Sequence, residues 1–229
     1  MSSRKKMLVL IILFWIVLLG VILSGSKYIF DSSFQQLETE SALDASNRVY
    51  HVILQDLKYL HFVNVDNAFW DEMHQFALKP NAKFEEMYLS NGEILTDNDV
   101  NILVILNRDN QIIWSRAYDL AKGEVTQLPA SVSRYLKTNV YRFLKGKEQY
   151  HNLVKKAHGL AGFFFLPGEK YATYLSVSYI HDARYKEPYS GALIFLRHLT
   201  PQFVKKLSVK FQYKMQLFTK TQLAGYNRG

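Results

Sequence analysis

The chain has 229 residues, of which 48% are hydrophobic and 21% are charged, as in globular proteins, so wholly disordered and collagen-like proteins are excluded. It contains no cysteine, which excludes a disulfide framework, a cysteine nucleophile and thiolate-held metal clusters. The net charge of +8 is concentrated at the ends: four basic residues lie in 1–30 and seven in 191–229, with no acid in either range, which leaves −3 between them. Because nucleic-acid binding needs a positively charged folded surface, no nucleic-acid partner is expected.

A membrane anchor is predicted at the N-terminus. Residues 7–23 contain no charged or polar side chain, and as a helix they would be about 26 Å long, near the hydrocarbon thickness of a bilayer. Arg4, Lys5 and Lys6 precede them, and basic residues stay on the cytoplasmic side of a membrane. We therefore expect membrane contact through residues 7–23, with the N-terminus inside the cell.

This anchor divides the chain into three parts. We expect a cytoplasmic tail at 1–6, a transmembrane anchor at 7–26 and an extracytoplasmic domain at 27–229. A cleaved signal peptide is the alternative, because small residues stand at 24–26. The apolar run is longer than the ~7–15 residues of a typical signal peptide, which favours the anchor.

The pattern after the anchor predicts a long amphipathic helix, from about residue 27 to residue 65, with a break near Ser41 as the alternative. Its apolar stripe recurs at steps of three and four or their sums: Phe30, Phe34, Leu37, Ala45, Val49, Ile53, Leu57 and Leu60. The part of the stripe between Phe30 and Ile53 extends beyond what one domain covers. We therefore expect a homodimer through this helix, whereas packing of the stripe against its own domain is the alternative.

The middle of the chain predicts a hairpin and a helix. Residues 101–106 are apolar on both alternations, as in a strand that is covered on both faces. A polar turn at 108–110 leads to an antiparallel return strand at 111–118. Residues 131–145 have apolar side chains at helical spacing, with Gly146 in the position of a C-cap.

The last part predicts a second hairpin, a further strand and a helix. Segments 162–166 and 171–180 flank a turn that contains Pro167 and Gly168, and 191–196 reads as another strand. Thr200 and Pro201 open a helix. Its inward side chains are Phe203, Val204, Leu207 and Phe211. The whole pattern is α+β, with a mainly antiparallel sheet and flanking helices.

The catalytic inventory is thin. The chain lacks the Ser elbow of hydrolases, the phosphate loop of nucleotide-binding proteins, the HExxH zinc motif and the GxGxxG dinucleotide motif. Asp71, Glu72 and His74 are close in sequence, but such short spacings are common by chance. We expect no enzymatic activity, no metal and no cofactor.

The densest group of functional residue types is DNAFWDEMHQF at 66–76. In a structural reading Phe69 and Trp70 pack inward, and Asp71 and Glu72 lie at a helix start, where the helix dipole stabilises negative charge. In a functional reading the aromatic ring and the carboxylate form the wall of a pocket for a small polar ligand. The sequence alone leaves both readings open.

This segment resembles the signature of the type-four CHASE sensor domain, an extracytoplasmic module of bacterial diguanylate cyclases, phosphodiesterases and histidine kinases. In that family the signature is similar to Trp-Ala-x-Trp-Asp-Asp-x-Tyr-x-Phe. The chain keeps Ala68, Trp70, Asp71 and Phe76. It departs from the signature with Glu72 for the second Asp, Asn67 for the first Trp and His74 for Tyr.

Two further segments resemble the family in the same order, so that the resemblance covers roughly residues 40–210. The first, beginning with Asn101, resembles its asparagine-led hairpin, and the second resembles its glycine-led strand followed by arginine and a helix, with Gly191 and Arg197. The resemblance implies a PAS-like domain in a bacterial inner-membrane receptor. In family members this domain is followed by a second membrane helix and an output domain. This chain shows instead one further possible strand, at 214–220, so we expect no output module in it.

We therefore expect a single-pass periplasmic sensor domain that binds an unidentified small molecule. The alternatives are a structural or interaction subunit of an envelope assembly and a membrane-anchored hydrolase. The predicted ligand-binding residues are Trp70, Asp71, Glu72, Asn101, Trp114 and Arg116. Arg116 needs an anionic partner if it is buried, and Asp71 or Glu72 is its expected partner inside the protein.

Overall fold

The structure is a computed structural model that describes residues 3–217 except 91, 146–153, 157–158, 166–169 and 185–188. Within helices and strands, the side chains of 3–6, 8–12, 24–36, 140–145 and 154–156 are also outside the description. The predicted C-cap Gly146, the turn at Pro167 and Gly168 and residues 218–220 of the possible strand at 214–220 therefore lie outside the described residues. Residues 214–217 are described and do not form a strand. The chain divides into two compact units, Met1–Tyr50 and His51–Gly229.

The first helix, α1, runs from Ser3 to Ala68 without a break. The predicted long helix is confirmed and the alternative break near Ser41 is wrong. In the first unit, Leu37, Leu43 and Tyr50 are exposed, whereas the side chains of Phe30 and Phe34 lie outside the described residues. A search of the described residues finds no helix with the length and apolar character needed to span a membrane.

The second unit contains residues 51–68 of α1, five further α-helices and one short π-helix among its described residues. The α-helices are α2 (Asp71–Leu78), α3 (Ala82–Phe84), α4 (Glu93–Asp97), α5 (Ala130–Lys145) and α6 (Pro201–Phe211). The π-helix spans Glu85–Leu89 and follows α3 directly. Helix α6 begins as predicted, because Thr200 Oγ1 accepts a hydrogen bond from the Phe203 backbone N–H at 3.2 Å.

The described strands form a seven-stranded sheet in the order β3-β2-β1-β7-β6-β5-β4, and every neighbouring pair is antiparallel. The strands are β1 (Ile102–Asn107), β2 (Ile112–Asp119), β3 (Glu124–Thr126), β4 (Val154–Lys156), β5 (Gly159–Phe164), β6 (Thr173–Ile180) and β7 (Gly191–His198). Both predicted hairpins and the predicted last strand are therefore present. Edge strands β3 and β4 were not predicted, because three residues are too few to show an alternating pattern.

Both faces of the sheet are covered. In β1, Leu103 and Ile105 face a core that residues 51–68 of α1, α2, α4 and α6 also enter, which we call the α1-side core. Val104 and its neighbours on the other alternation face a second core that contains Val132 and Leu136 of α5. These buried apolar side chains each stabilise the fold by roughly 1.5–3 kcal/mol. The fold is α+β with a mainly antiparallel sheet and flanking helices, as predicted.

A buried ion pair joins α1 to the sheet. Arg197 of β7 and Asp56 of α1 are 2.7 Å apart, and their side chains are only 3% and 6% exposed. Arg197 also donates hydrogen bonds to the carbonyls of Asn98 and Asp99, at 2.5 and 3.0 Å. Its guanidinium lies 5.0 Å from the centre of the Phe203 ring of α6. One side chain thus connects α1, the segment before β1, the sheet and α6.

The ion pair is costly to desolvate. Burial raises the pKa of the Asp56 carboxyl above its ordinary value of 3.8, and the charge of Arg197 offsets only part of that rise. Because the folded-state pKa lies above the unfolded-state pKa, the stability linked to Asp56 is fully present below pH 3.8. It is lost as the pH rises through the folded-state pKa.

We expect Arg197→Met to lower the free energy of unfolding at neutral pH by roughly 3–5 kcal/mol, because it leaves an unpaired buried carboxylate. The loss should shrink as the pH is lowered from neutral towards the ordinary carboxyl pKa of 3.8, since protonation of Asp56 then relieves the penalty. Chemical denaturation over this pH range measures both effects.

Lys206→Met is the matched control, because Lys206 forms an exposed ion pair with Asp99. It should cost less than about 1 kcal/mol. Combining Arg197→Met with Asp56→Leu should recover most of the lost stability, since two apolar groups replace both charges. If Lys206→Met and Arg197→Met lost equal stability, Arg197 would not be the buried partner that compensates the Asp56 carboxylate.

Candidate functional site

The signature segment forms the junction between α1 and α2. Ala68 is fully buried at the end of α1, and Trp70 has an extended backbone immediately before α2. Asp71 and Glu72 occupy the first turn of α2, where the partial positive charge of the helix terminus stabilises their carboxylates. The predicted helix start is confirmed.

Asp71 also anchors the loop between β6 and β7. Its Oδ1 accepts a hydrogen bond from the Ala183 backbone N–H at 2.8 Å. Nearby, the His181 backbone N–H donates to the Ala68 carbonyl at 3.2 Å, and the Phe69 and His181 rings are stacked with their centroids 5.4 Å apart. The junction therefore holds one end of this loop against α1.

Trp70 is part of an aromatic wall. Its ring lies 5.5 Å from the Phe84 ring and 4.5 Å from the Tyr88 ring, the latter in an edge-to-face arrangement. Phe76 stacks on Phe84 at 4.8 Å. Because such aromatic pairs add roughly 0.5–1.5 kcal/mol beyond the burial of their area, they fix α2 against the π-helix.

Strand β2 holds the π-helix from the other side. Trp114 Nε1 donates to Glu85 Oε1 at 3.1 Å, at the beginning of the π-helix. Arg116 Nη1 donates to the carbonyls of Leu89 and Ser90, at 2.7 and 2.6 Å. The predicted pairing of Arg116 with Asp71 or Glu72 is wrong, because the carbonyls at the end of a helix lack partners within the helix and accept from Arg116 instead.

A cleft of about 450 Å³ opens between α2 and the π-helix. Its volume is in the range that is typical of small-molecule sites. The lining residues are Asp71, Glu72, Gln75, Asn81, Lys83, Phe84, Met87 and Tyr88. We call this space the α2–π cleft. π-Helices are rare and occur frequently at functional sites, which favours this cleft as the candidate site.

The structure brings five of the six predicted site residues to this region. Asp71 and Glu72 line the α2–π cleft directly. Trp70 packs against Phe84 and Tyr88, which line the cleft. Trp114 and Arg116 hold the π-helix that forms one wall of it.

Asn101, the sixth predicted residue, lies elsewhere. Its Oδ1 accepts a hydrogen bond from the His198 backbone N–H at 2.8 Å, and its amide donates to the Tyr118 carbonyl at 3.3 Å. Asn101 thus ties the beginning of β1 to the strands on both sides. Gly191 is also structural, because a Cβ at this position would lie 1.9 Å from the Leu106 carbonyl oxygen.

Asn101 lines a second pocket, of about 370 Å³, near the N-terminus of α6. The charged groups of this pocket already have partners within the protein. Asp99 is paired with Lys206 at 2.6 Å, and Asp119 Oδ1 accepts the backbone N–H groups of Ala121 and Lys122. This pocket therefore offers fewer unpaired charged groups than the α2–π cleft.

The polar groups of the α2–π cleft are largely available to a ligand. The side chains of Glu72, Gln75, Lys83 and Tyr88 make no hydrogen bond to any described residue, and Asp71 uses only one of its two oxygens. No group of three or more metal-ligating side chains occurs among the described residues. The cleft can thus bind a small polar molecule through direct hydrogen bonds.

Sequence reasoning missed six lining residues. Gln75 could have been found, because it lies four positions after Asp71 on the same face of a helix. Asn81, Lys83, Phe84, Met87 and Tyr88 carry no such signal, since their positions depend on a π-helix. A π-helix has no recognisable sequence periodicity over five residues.

Comparisons with known proteins give one family. The sequence profile of the CHASE4 domain matches residues 52–218. No curated protein matches the chain.

Two solved structures are similar at low identity. The periplasmic domain of Vibrio cholerae LuxQ is 14% identical, with a TM-score of 0.48 over 74% of this chain and 70% of that chain. The periplasmic sensory domain of the Campylobacter jejuni chemoreceptor Tlp1 is 12% identical, with a TM-score of 0.36 over 72% of this chain and 61% of that chain. The family match, which covers most of the chain, is the finding that bears on function.

We expect Arg116→Ala to lower the free energy of unfolding by about 2 kcal/mol, because it removes two charge-assisted hydrogen bonds to the π-helix. Hydrogen exchange of the amides in residues 85–90 should accelerate in the same variant. Arg108→Ala is the control, since Arg108 is an exposed turn residue. If both variants lose equal stability and exchange equally, Arg116 does not hold the π-helix.

Proposed function

The chain belongs to the CHASE4 domain family, and from this premise we propose that it is the ligand-sensing extracytoplasmic part of a bacterial membrane receptor of the cyclic-dinucleotide or histidine-kinase type. The observation that carries the proposal is the family match over residues 52–218. The antiparallel sheet with helices on both faces supports a PAS-like arrangement. Because the sequence lacks the hydrolase, nucleotide-binding and zinc motifs named above, we propose that the chain has no enzymatic activity.

The sensing site of this proposal is the α2–π cleft. Asp71 and Glu72 contact the ligand, while Trp70 keeps the aromatic wall in place. Trp114 and Arg116 act on the cleft indirectly, through the position of the π-helix. A bound molecule would therefore contact both α2 and the π-helix. Helix α2 is joined to α1, and the π-helix is held by the sheet through Trp114 and Arg116.

We also propose that the receptor is anchored in the inner membrane. The uncharged run at 7–23 after Arg4, Lys5 and Lys6 supports a cytoplasmic N-terminus and a periplasmic main domain at 27–229. In this arrangement the cleft samples the periplasm.

A homodimer through α1 completes the proposal. In the second unit the apolar stripe of α1 is used within the domain, since Leu57 and Leu60 are fully buried. In the first unit Leu37, Leu43 and Tyr50 remain exposed, and Leu43 and Tyr50 are one heptad apart. Exposed apolar side chains at this spacing support a helix–helix contact between two copies.

A ligand screen tests the sensory function. We expect at least one periplasmic metabolite to raise the unfolding midpoint of the full chain in nanodiscs, because a ligand that binds only the folded state stabilises it. The rise should be lost in Tyr88→Ala, which opens the aromatic wall, but kept in Tyr59→Ala, which changes an exposed tyrosine on α1. A scaffold subunit would show no metabolite-dependent shift in either protein.

A single cysteine at position 43 tests both orientation and dimerisation, because the natural chain has no cysteine. In intact spheroplasts Leu43→Cys should react with a membrane-impermeant maleimide, and on oxidation it should form a disulfide-linked dimer. Ser41→Cys is the control, because Ser41 is exposed and lies on roughly the opposite face of α1 from Leu43 and Tyr50. Protection from the reagent would contradict the orientation, and equal crosslinking at positions 41 and 43 would contradict a defined dimer face.

A further inference from the structure

We infer that the α2–π cleft selects ligands that carry a cationic amine, an inference that rests on the proposed sensory role of this cleft. The two observations behind it are the distribution of charge around the cleft and the aromatic composition of one wall. Acidic residues alone or aromatic residues alone would not define a site. Here both kinds of residue line the same cavity of about 450 Å³, and together they define one.

The α2 wall is acidic. Asp71 and Glu72 both line the cleft, and only one carboxylate oxygen of this pair is engaged, by the Ala183 N–H. Three oxygens remain for a ligand, and each accepts but does not donate hydrogen bonds. An ammonium group supplies up to three donors and a positive charge, so it matches this wall in both hydrogen bonding and charge.

The opposite wall is aromatic and apolar. Phe84, Tyr88 and Met87 line it, and the Met87 side chain is 55% exposed. Trp70 packs against Phe84 and Tyr88, which restrains both rings. Aromatic faces attract cations and also pack against apolar carbon. This wall therefore suits the alkyl or aromatic part of an amine next to its charge.

Among the described residues that line the cleft, Lys83 is the one with a cationic side chain. A simple anion could pair with Lys83 only while it also faced the two carboxylates of α2, and this repulsion opposes its binding. The balance of charge therefore favours a cation. An amino acid could bind as well, with its ammonium group at the α2 carboxylates and its carboxylate at Lys83.

The second pocket does not share this property. There Asp99 is neutralised by Lys206 at 2.6 Å, and Asp119 is engaged with backbone N–H groups and lies 3.9 Å from the Lys122 amine. Selectivity for a cation is therefore expected at the α2–π cleft and not at the pocket near α6.

Three probes of nearly equal size and shape isolate the effect of charge: phenethylamine, 2-phenylethanol and phenylacetate. Each is added to the full chain in nanodiscs while the unfolding midpoint is measured. Phenethylamine at a hundredfold excess over its Kd should raise the midpoint by roughly 5–10 °C. The neutral and anionic probes should raise it by less than about a tenth of that value at equal concentration.

Glu72→Gln tests the assignment to this cleft. Glu72 makes no hydrogen bond to a described residue and loses only its interaction with the helix terminus, so the unfolding midpoint of the variant without a probe should fall by no more than about 4 °C. Its affinity for phenethylamine should fall about tenfold or more. Asp97→Asn is the matched control, because Asp97 is an exposed acid of α4 outside the cleft, and it should bind phenethylamine like the natural chain.

Each other outcome overturns the inference in a recognisable way. Equal shifts from phenethylamine and phenylethanol would mean that charge has no role. A shift from phenylacetate alone that disappears in Lys83→Gln would replace the ligand class with an anion, but it would leave the cleft as the sensory site. No shift from any of the three probes would reject an amine site, whereas the sensory function itself fails only if the metabolite screen also finds no ligand.

Discussion

The pairing of Asp56 with Arg197 is the constraint on which the second unit is built. An arginine on the α1-facing side of β7 cannot remain buried without partners, and the structure surrounds it with one carboxylate, two carbonyls and aromatic rings from β6 and α6. The two carbonyls, of Asn98 and Asp99, fix the segment that connects α4 to β1. The helical layer before β1 therefore has a defined end point, and the α2–π cleft is formed within this layer.

The rest of the α1–sheet contact is also partly polar. His61 Nδ1 and Ser176 Oγ share a hydrogen bond of 2.9 Å, and the Asn64 amide donates to the carbonyls of Ser176 and Leu193, each at 3.4 Å. A purely apolar helix face could shift by a turn with little loss of free energy. Polar groups that need particular partners oppose such a shift, because a displaced group would remain buried without a hydrogen bond.

Much of this fold could be predicted from local sequence pattern, because strands such as 101–106 and the helix that begins at Thr200 carry their own periodicity and capping residues. The need of Arg116 for acceptors could also be anticipated, since the arginine is half-buried. Which acceptors it uses could not, because the Leu89 and Ser90 carbonyls lie at the end of a π-helix about 27 residues away, and the form of that helix depends on tertiary packing. Asn101 lies outside the α2–π cleft, because its polar side chain bonds to the neighbouring strands. A sequence motif does not distinguish this role from ligand contact.

The two acids at the start of α2 differ in how freely evolution can change them. Asp71 holds the β6–β7 loop with one oxygen and also lines the cleft, so a substitution there changes the scaffold and the cleft together. Glu72 faces the cleft without a structural bond, and it is also the position at which this chain departs from the second Asp of the family signature. In the proposed sensing site, substitutions at Glu72, Gln75 or Met87 can therefore alter the cleft while Asp71 keeps the architecture unchanged, which would give a lineage of such receptors a route to new specificities without loss of the fold.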